Sequence, residues 1–162
     1  MNIFYLDKDP KLCAQYHCDK HIVKMILESA QLLCTAVNVL AGEQVTPYKS
    51  THVNHPCSLW VRESFSNWTY VATLMLELEK EWNYRYQHTK KHASVASLGS
   101  VKSNLVGKAF KHLPHIGFTE PALAMPDHCK VSTSPVECYR EYYRKEKVAL
   151  HKWTNRDKPF WI

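Results

Sequence analysis

Six polar side chains, His17, Lys20, His21, Lys24, Glu28 and Gln31, recur at spacings of three and four residues near the start of the chain. On an α-helix, at about 100° per residue, they fall within an arc of about 100° and form one stripe. Histidine titrates near neutrality, glutamate can be raised toward it by burial, and lysine becomes a nucleophile when desolvation or neighbouring cations lower its pKa. The stripe therefore holds acid, base and nucleophile types around one carboxylate. The plainer alternative is a solvated face with an ordinary Lys24–Glu28 pair at i,i+4. Asp19 falls instead among the apolar residues, where an ionised carboxylate needs an arginine or backbone amides as partner.

A second constellation runs from Thr51 through His52, His55 and Pro56 to Trp60, Arg62, Glu63, Asn67 and Tyr70. Facing the first helix, these residues would line a groove in which Trp60 stacks on a base and Asn67 reads an amide-like base edge. The alternative is a helix cap followed by a core tryptophan. His17 and His21 also suit two metal ligands one helical turn apart, with His52 and His55 completing the set. No HExxH or CxxC motif supports that metal site, and the absence of GxxxxGK[ST], GxGxxG and GxSxG argues against nucleotide-driven and serine-esterase chemistry.

The elements that must position these groups read as helices. Asp9 as N-cap with Pro10 at the first helical position starts a helix that meets no Gly or Pro from Lys11 to about Leu40. Leu12, Ile22, Val23, Ile26, Ala30, Leu33 and Val37 form its apolar face, and Gly42 stops it. Residues 41 to 55 are a connection. A second long helix is expected from Pro56 to about Gln87, with Leu59, Phe65, Val71, Leu74, Met75 and Leu78 inward. A third, around Val95 to Leu113, carries Leu98, Val101, Leu105, Val106, Ala109 and Phe110. Residues 114 to 133 are broken by Pro114, Pro121 and Pro126, after which Ser134-Pro135 opens a helix reaching about Trp153. The run Asn2 to Leu6 is a short strand or extended arm, and no signal points to a sheet. The expected fold is all-α: one domain over residues 1–162, about four helices with an N-terminal arm and an irregular C-terminal segment.

A chain of 162 residues, 45% hydrophobic, is long enough to bury a real core. It has no run of about 18 uncharged apolar residues and no signal-peptide pattern, so a cytoplasmic location without membrane contact is expected. The six cysteines, Cys13, Cys18, Cys34, Cys57, Cys129 and Cys138, then read as reduced thiols. The net charge of +6 favours a polyanionic partner, since lysine and arginine displace condensed counterions from phosphate, although solubility alone would also account for it.

The run Ile3-Phe4-Tyr5-Leu6, the segment Leu12 to Gln15, the tripeptide Asn54-His55-Pro56 and Tyr84-Arg85-Tyr86 together resemble uncharacterised phage-encoded proteins of similar length. More remotely, the chain resembles the small helical pyrimidine-dimer DNA glycosylases of the endonuclease V type. Those proteins have an extended arm, an L-x-x-Q helix, a second helix opened by His-Pro in cellular members, and an aromatic tail. The resemblance implies a base glycosylase/lyase, but the position of the family's catalytic glutamate, counted from Gln15, is Val23. Its small second residue, whose amine is the nucleophile once Met is removed, is here Asn2, which is too large for efficient removal of Met1.

The combined reading is an enzyme acting on nucleic acid, DNA favoured, with rebuilt glycosylase/lyase chemistry at a damaged or modified base and no cofactor. Glu28 would stabilise oxocarbenium-like charge or activate water, and Lys24, His17 and His21 would supply acid or Schiff-base groups. Lys20, Gln31, His55, Trp60, Arg62 and Asn67 would bind the substrate. The alternatives are a metal-dependent hydrolase using the histidines and a non-catalytic adaptor.

Overall fold

A computed structural model describes residues 1–99 and 102–162, and these are all-helical, with no strand. Seven α-helices follow in order: α1 (Pro10–Tyr16), α2 (Asp19–Ala41), α3 (Pro56–Glu63), α4 (Phe65–Tyr86), α5 (Ala93–Gly99), α6 (Lys102–His112) and α7 (Pro135–Glu146). Short 3-10 turns occupy Asp127–Cys129 and Val148–Leu150. The central contact is α2 against α4, with α3 packed on both and α1 on α4. Val101, expected on the apolar face of a third helix, lies outside the described residues.

The start of α1 follows local chemistry, because the Asp9 carboxylate accepts the Lys11 N–H at 2.9 Å and Pro10 supplies a fixed φ. The expected single helix from Lys11 to Leu40 is, however, two helices. His17 and Cys18 are extended, with ψ of 135° and 161°. The His17 N–H turns to the Ala14 carbonyl, and its ring Nδ1 takes the Cys13 carbonyl at 2.7 Å in place of the helical bond. Past this break α2 behaves as its period demands: Ile22, Ile26, Ala30, Leu33 and Val37 are buried, and Gly42, at φ 75°, closes the helix in the left-handed region. Leu12 and Val23, expected inside, are about two-fifths exposed: the break puts Leu12 on a separate helix, and Val23 falls at the edge of the apolar arc of α2. By length and composition α2 could cross a membrane, and here 67% of its most apolar stretch is buried within the fold.

The expected helix from Pro56 to Gln87 is likewise split. Ser64 is extended; its hydroxyl accepts the Ser66 and Asn67 N–H groups and donates to the Gly117 carbonyl, while the Phe65 N–H donates to the Pro114 carbonyl at 2.8 Å. A side chain that caps one helix and fastens a distant loop thus outweighs one more turn. Leu59, expected in the core, is exposed, as are Val106 and Phe110 on α6. The last helix stops at Glu146 rather than near Trp153, and Trp153 instead donates its ring N–H to the Tyr16 carbonyl at 3.1 Å.

Residues 2–6 form an arm buried in the core, not an edge: Ile3 and Leu6 are within 1% of full burial. The Arg140 guanidinium bonds the Leu6 carbonyl, and Tyr70 bonds the Asp7 carbonyl. The six cysteines are all free and buried.

Arg85 ties the ends of three helices together. Its side chain is fully enclosed and donates to Glu81 at 2.7 Å, Asp19 at 3.0 Å and the Gln15 carbonyl at 2.8 Å. Asp19 also accepts the N–H and hydroxyl of Thr154, and Arg156 closes a second ion pair on Glu81. Burial works to raise Asp19, but Thr154 and Arg85 outweigh it and hold the carboxyl below its ordinary value. Replacing Arg85 with Ala leaves two buried carboxylates short of a cation and should cost about 3–5 kcal/mol in urea unfolding. Arg156→Ala, at a partly exposed pair, should cost about 1 kcal/mol or less. Equal losses for the two would contradict this account.

Candidate functional site

Glu28 is a buried carboxylate on the third turn of α2. Oε1 lies 3.3 Å from Lys24 Nζ, one turn earlier. Oε2 accepts the Asn2 backbone N–H at 2.9 Å and lies 3.7 Å from the Met1 ammonium. The helical spacing of Lys24 and Glu28 accounts for the first contact and the arm for the other two. The arm is held in place by Asn2, whose side-chain N–H donates to the Ala124 carbonyl at 2.8 Å and whose Oδ1 accepts from Ile3 and Phe4. That local bonding accompanies a left-handed Phe4, at φ 42°, a conformation in which short polar loops are the usual support.

The walls come from the start of α3 and from residues 122–124. His55 caps α3, its Nδ1 accepting the Cys57 N–H at 3.1 Å, so that in the neutral ring the proton sits on Nε2. Burial lowers the His55 pKa, the Met1 ammonium and His52 lower it further, and Glu28 opposes them. Burial pushes the Cys57 thiol up to about 11. Tyr139 lies 3.9 Å from that thiol and fastens the wall by donating to the Ala122 carbonyl at 2.6 Å.

Of the expected acid–base groups only Lys24 and Glu28 share one locality, and His55, expected to bind substrate, lies near them. His17 and His21 do not serve as the solvent-facing stripe their spacing suggests. The break before α2 takes His17 off the helix and buries it completely. His21 stacks on Phe4, with ring centres 4.3 Å apart, and bonds the Tyr143 hydroxyl at 2.5 Å. Burial lowers His17 to about 4. It lowers His21 to about 3, with the charges of His17, Lys147 and Lys24 adding to the effect. Both rings are neutral packing groups near pH 7.

The expected base-binding groups are also consumed by the fold. Trp60 is buried and donates to the Thr119 carbonyl at 3.1 Å. Asn67 is fully buried and saturated: its amide donates to the Trp60 carbonyl and the Thr119 hydroxyl, and its oxygen accepts the Thr119 N–H. Asn67 has no edge left for a base, and Trp60, 3% exposed, is too enclosed to stack on one. Arg62 staples the Val53 carbonyl. Lys20 is exposed one turn before Lys24, and Gln31 is half-buried one turn after Glu28. His17, His21, His52 and His55 do not form a metal cluster among the described residues; the three-donor group found there is elsewhere.

Residue types alone concealed several groups at the site. The Asn2 N–H is a backbone donor, and the Met1 ammonium reaches Glu28 only through tertiary packing. Lys147 and Lys24 both act electrostatically on His21, and Lys147 Nζ lies 4.4 Å from the Tyr142 ring centre and 6.0 Å from that of Phe4. Other basic side chains are already engaged: Arg144 and Lys145 both pair with Glu141, and Lys108 bonds the Val45 carbonyl. An open groove of about 420 Å³ beside the site, lined by Pro56, Leu59, Trp60, Glu63, Glu120 and Ala122, has two acidic residues as its charged lining. It does not suit phosphate.

No family model, curated protein or solved structure matches the chain.

The buried histidines have a consequence for pH. An unfolded histidine takes up a proton below about 6.5, whereas His17 and His21 stay neutral in the folded chain to about 4 and about 3. Between those limits the unfolded chain binds more protons. The stability these rings confer is therefore complete above 6.5 and declines as pH falls. The unfolding midpoint in urea should drop between about pH 7 and pH 5, while the ring-proton NMR signals of both residues stay flat over that range. A titrating signal from either residue would refute this assignment.

Proposed function

We propose that the chain acts on nucleic acid, DNA favoured, as a base glycosylase/lyase-like enzyme centred on Glu28 and Lys24. One observation carries the reading. A buried carboxylate is held within 3.3 Å of a lysine nitrogen that is itself 68% exposed, so one partner is fixed and dry while the other can reach a substrate. Lyase chemistry on a sugar requires such a pairing. Glu28 takes the proton of the Lys24 ammonium, the free amine attacks the anomeric carbon as the base departs and takes a proton from water, and the protonated Glu28 carboxyl returns its proton to the ring oxygen as the ring opens to the imine. The Asn2 N–H on Oε2 orients the carboxylate without supplying a proton at neutral pH. His55, neutral with its proton on Nε2, is a hydrogen-bond donor within the same locality.

Lys20, Lys24 and Lys147 are the phosphate-contacting lysines, and a displaced base would stack on Tyr142 by taking the place of the Lys147 ammonium over its ring. The basic surplus of the whole chain, 21 Lys and Arg against 15 Asp and Glu, steers a polyanion toward it. The resemblance to endonuclease V-type glycosylases fits this chemistry, with the carboxylate at Glu28 instead of the position occupied by Val23.

The test is a screen of damaged and modified oligonucleotides for released base or strand cleavage, with borohydride to trap an imine. The trapped adduct should map to Lys24 by peptide mass spectrometry. Mapping to Met1 would transfer the nucleophile's role to the α-amine beside the same carboxylate. Glu28→Gln should reduce turnover by about a hundredfold or more while changing oligonucleotide affinity by less than about threefold. Binding should weaken steeply with added salt, and Lys147→Ala should reduce that dependence. Salt-sensitive binding with no product from any substrate would favour the adaptor reading. Unchanged activity in both Glu28→Gln and Lys24→Ala would sink the site assignment.

A further inference from the structure

Away from Glu28, three side chains of different chemistry converge where the irregular segment meets α7. One ring nitrogen of His128, the thiol of Cys129 and a carboxylate oxygen of Glu146 all lie within 4.8 Å of one another. His128 and Cys129 sit on the 3-10 turn Asp127–Cys129, and Glu146 is the last residue of α7. We infer that these three residues bind zinc and that the metal clips residues 127–129 to the end of α7.

Geometry supports the assignment. Nitrogen, sulfur and oxygen ligands at about 2.0–2.3 Å from a tetrahedral zinc stand roughly 3.3–3.8 Å apart. His128 Nε2 and Glu146 Oε1 are already closer than that, at 2.7 Å, so the site forms by small side-chain movements. The backbone of the turn is set by the Cys129 N–H donating to the Pro126 carbonyl at 3.0 Å and the Lys130 N–H to the Asp127 carbonyl at 2.9 Å.

An exposed His–Glu ion pair alone would stabilise little and would not account for the thiol beneath it. Cys129 is fully buried, and its sulfur has no hydrogen bond among the described residues. The side chains of His128 and Glu146 are 55% and 41% exposed, which leaves an approach from solvent and a fourth position for water. The nearby lysines are engaged elsewhere, Lys130 with Asp127 at 2.7 Å and Lys145 with Glu141 at 2.9 Å. Cys138, on α7, donates to the Ser132 carbonyl at 3.2 Å and is occupied. A mixed imidazole, thiolate and carboxylate set suits borderline zinc better than magnesium or calcium, which take oxygen alone. Binding releases the Cys129 proton, so affinity rises with pH.

The experiment is titration of the full chain, reduced and freed of metal, with cobalt(II) as a spectroscopic stand-in, followed by competition with zinc. One equivalent of cobalt should produce a thiolate-to-metal charge-transfer band and the intense visible bands of a tetrahedral centre, and zinc should bleach both. Cys129→Ser should remove the charge-transfer band. His128→Ala should weaken zinc by more than the roughly 10–100-fold that loss of an outer-shell partner costs. Cys138→Ser should leave spectrum and stoichiometry unchanged, and zinc should raise the melting temperature of the parent chain but not that of Cys129→Ser. A cobalt spectrum without charge transfer, one lost on Cys138→Ser, or no one-to-one binding would each overturn the assignment.

Discussion

A guanidinium removed from water must be surrounded by acceptors or the fold fails, and much of this molecule is arranged around Arg85 for that reason. Its acceptors come from the end of α1, the start of α2 and its own helix. Each acceptor makes further demands. Glu81, buried, takes a second cation from Arg156, and Asp19 takes the N–H and hydroxyl of Thr154. Two acids and two bases thus balance inside one cluster that also holds residues 154–156. Because the Gln15 carbonyl and the Asp19 carboxylate must reach the same guanidinium, the helix opens between them.

That opening sets the chemistry farther along. It turns the His17 ring inward and fixes the rotation of α2 so that Ile22, Ile26 and Leu33 meet α4 while Glu28 meets the N-terminal arm. Without the arm, Lys24 and Glu28 would be an ordinary i,i+4 pair. In the folded chain the carboxylate is instead enclosed by backbone and ammonium donors with one lysine left toward solvent.

What could be read from the sequence was whatever depends on neighbours in the chain. Asp9-Pro10, Gly42 and Ser134-Pro135 mark real helix limits because capping is local. The apolar period of α2 and the Lys24–Glu28 contact follow from helical spacing alone. The break at His17 was not legible, since its cause lies at Arg85 and Thr154. Nor was the break at Ser64, whose hydroxyl answers to Gly117. Trp60 and Asn67 have residue types suited to reading a base, yet Thr119 uses up their donors and acceptors. Residue type shows what a side chain is able to bond; only the fold shows what has already claimed it. The Asn2 N–H illustrates the reverse case, a group at the site that no residue type advertises.

The buried arm also constrains the order in which the molecule can be assembled. Asn2 is fastened to Ala124, Leu6 to Arg140, Tyr16 to Trp153 and Asp19 to Thr154, so residues 2–19 depend on partners more than a hundred positions downstream. During translation the apolar arm and the uncapped start of α2 emerge long before anything can cover them. The surroundings of Glu28 are therefore among the last parts to form, by closure of the two chain ends on each other, and folding is expected to be slower than the helical content suggests, because loop-closure entropy must be overcome before these contacts stabilise the fold.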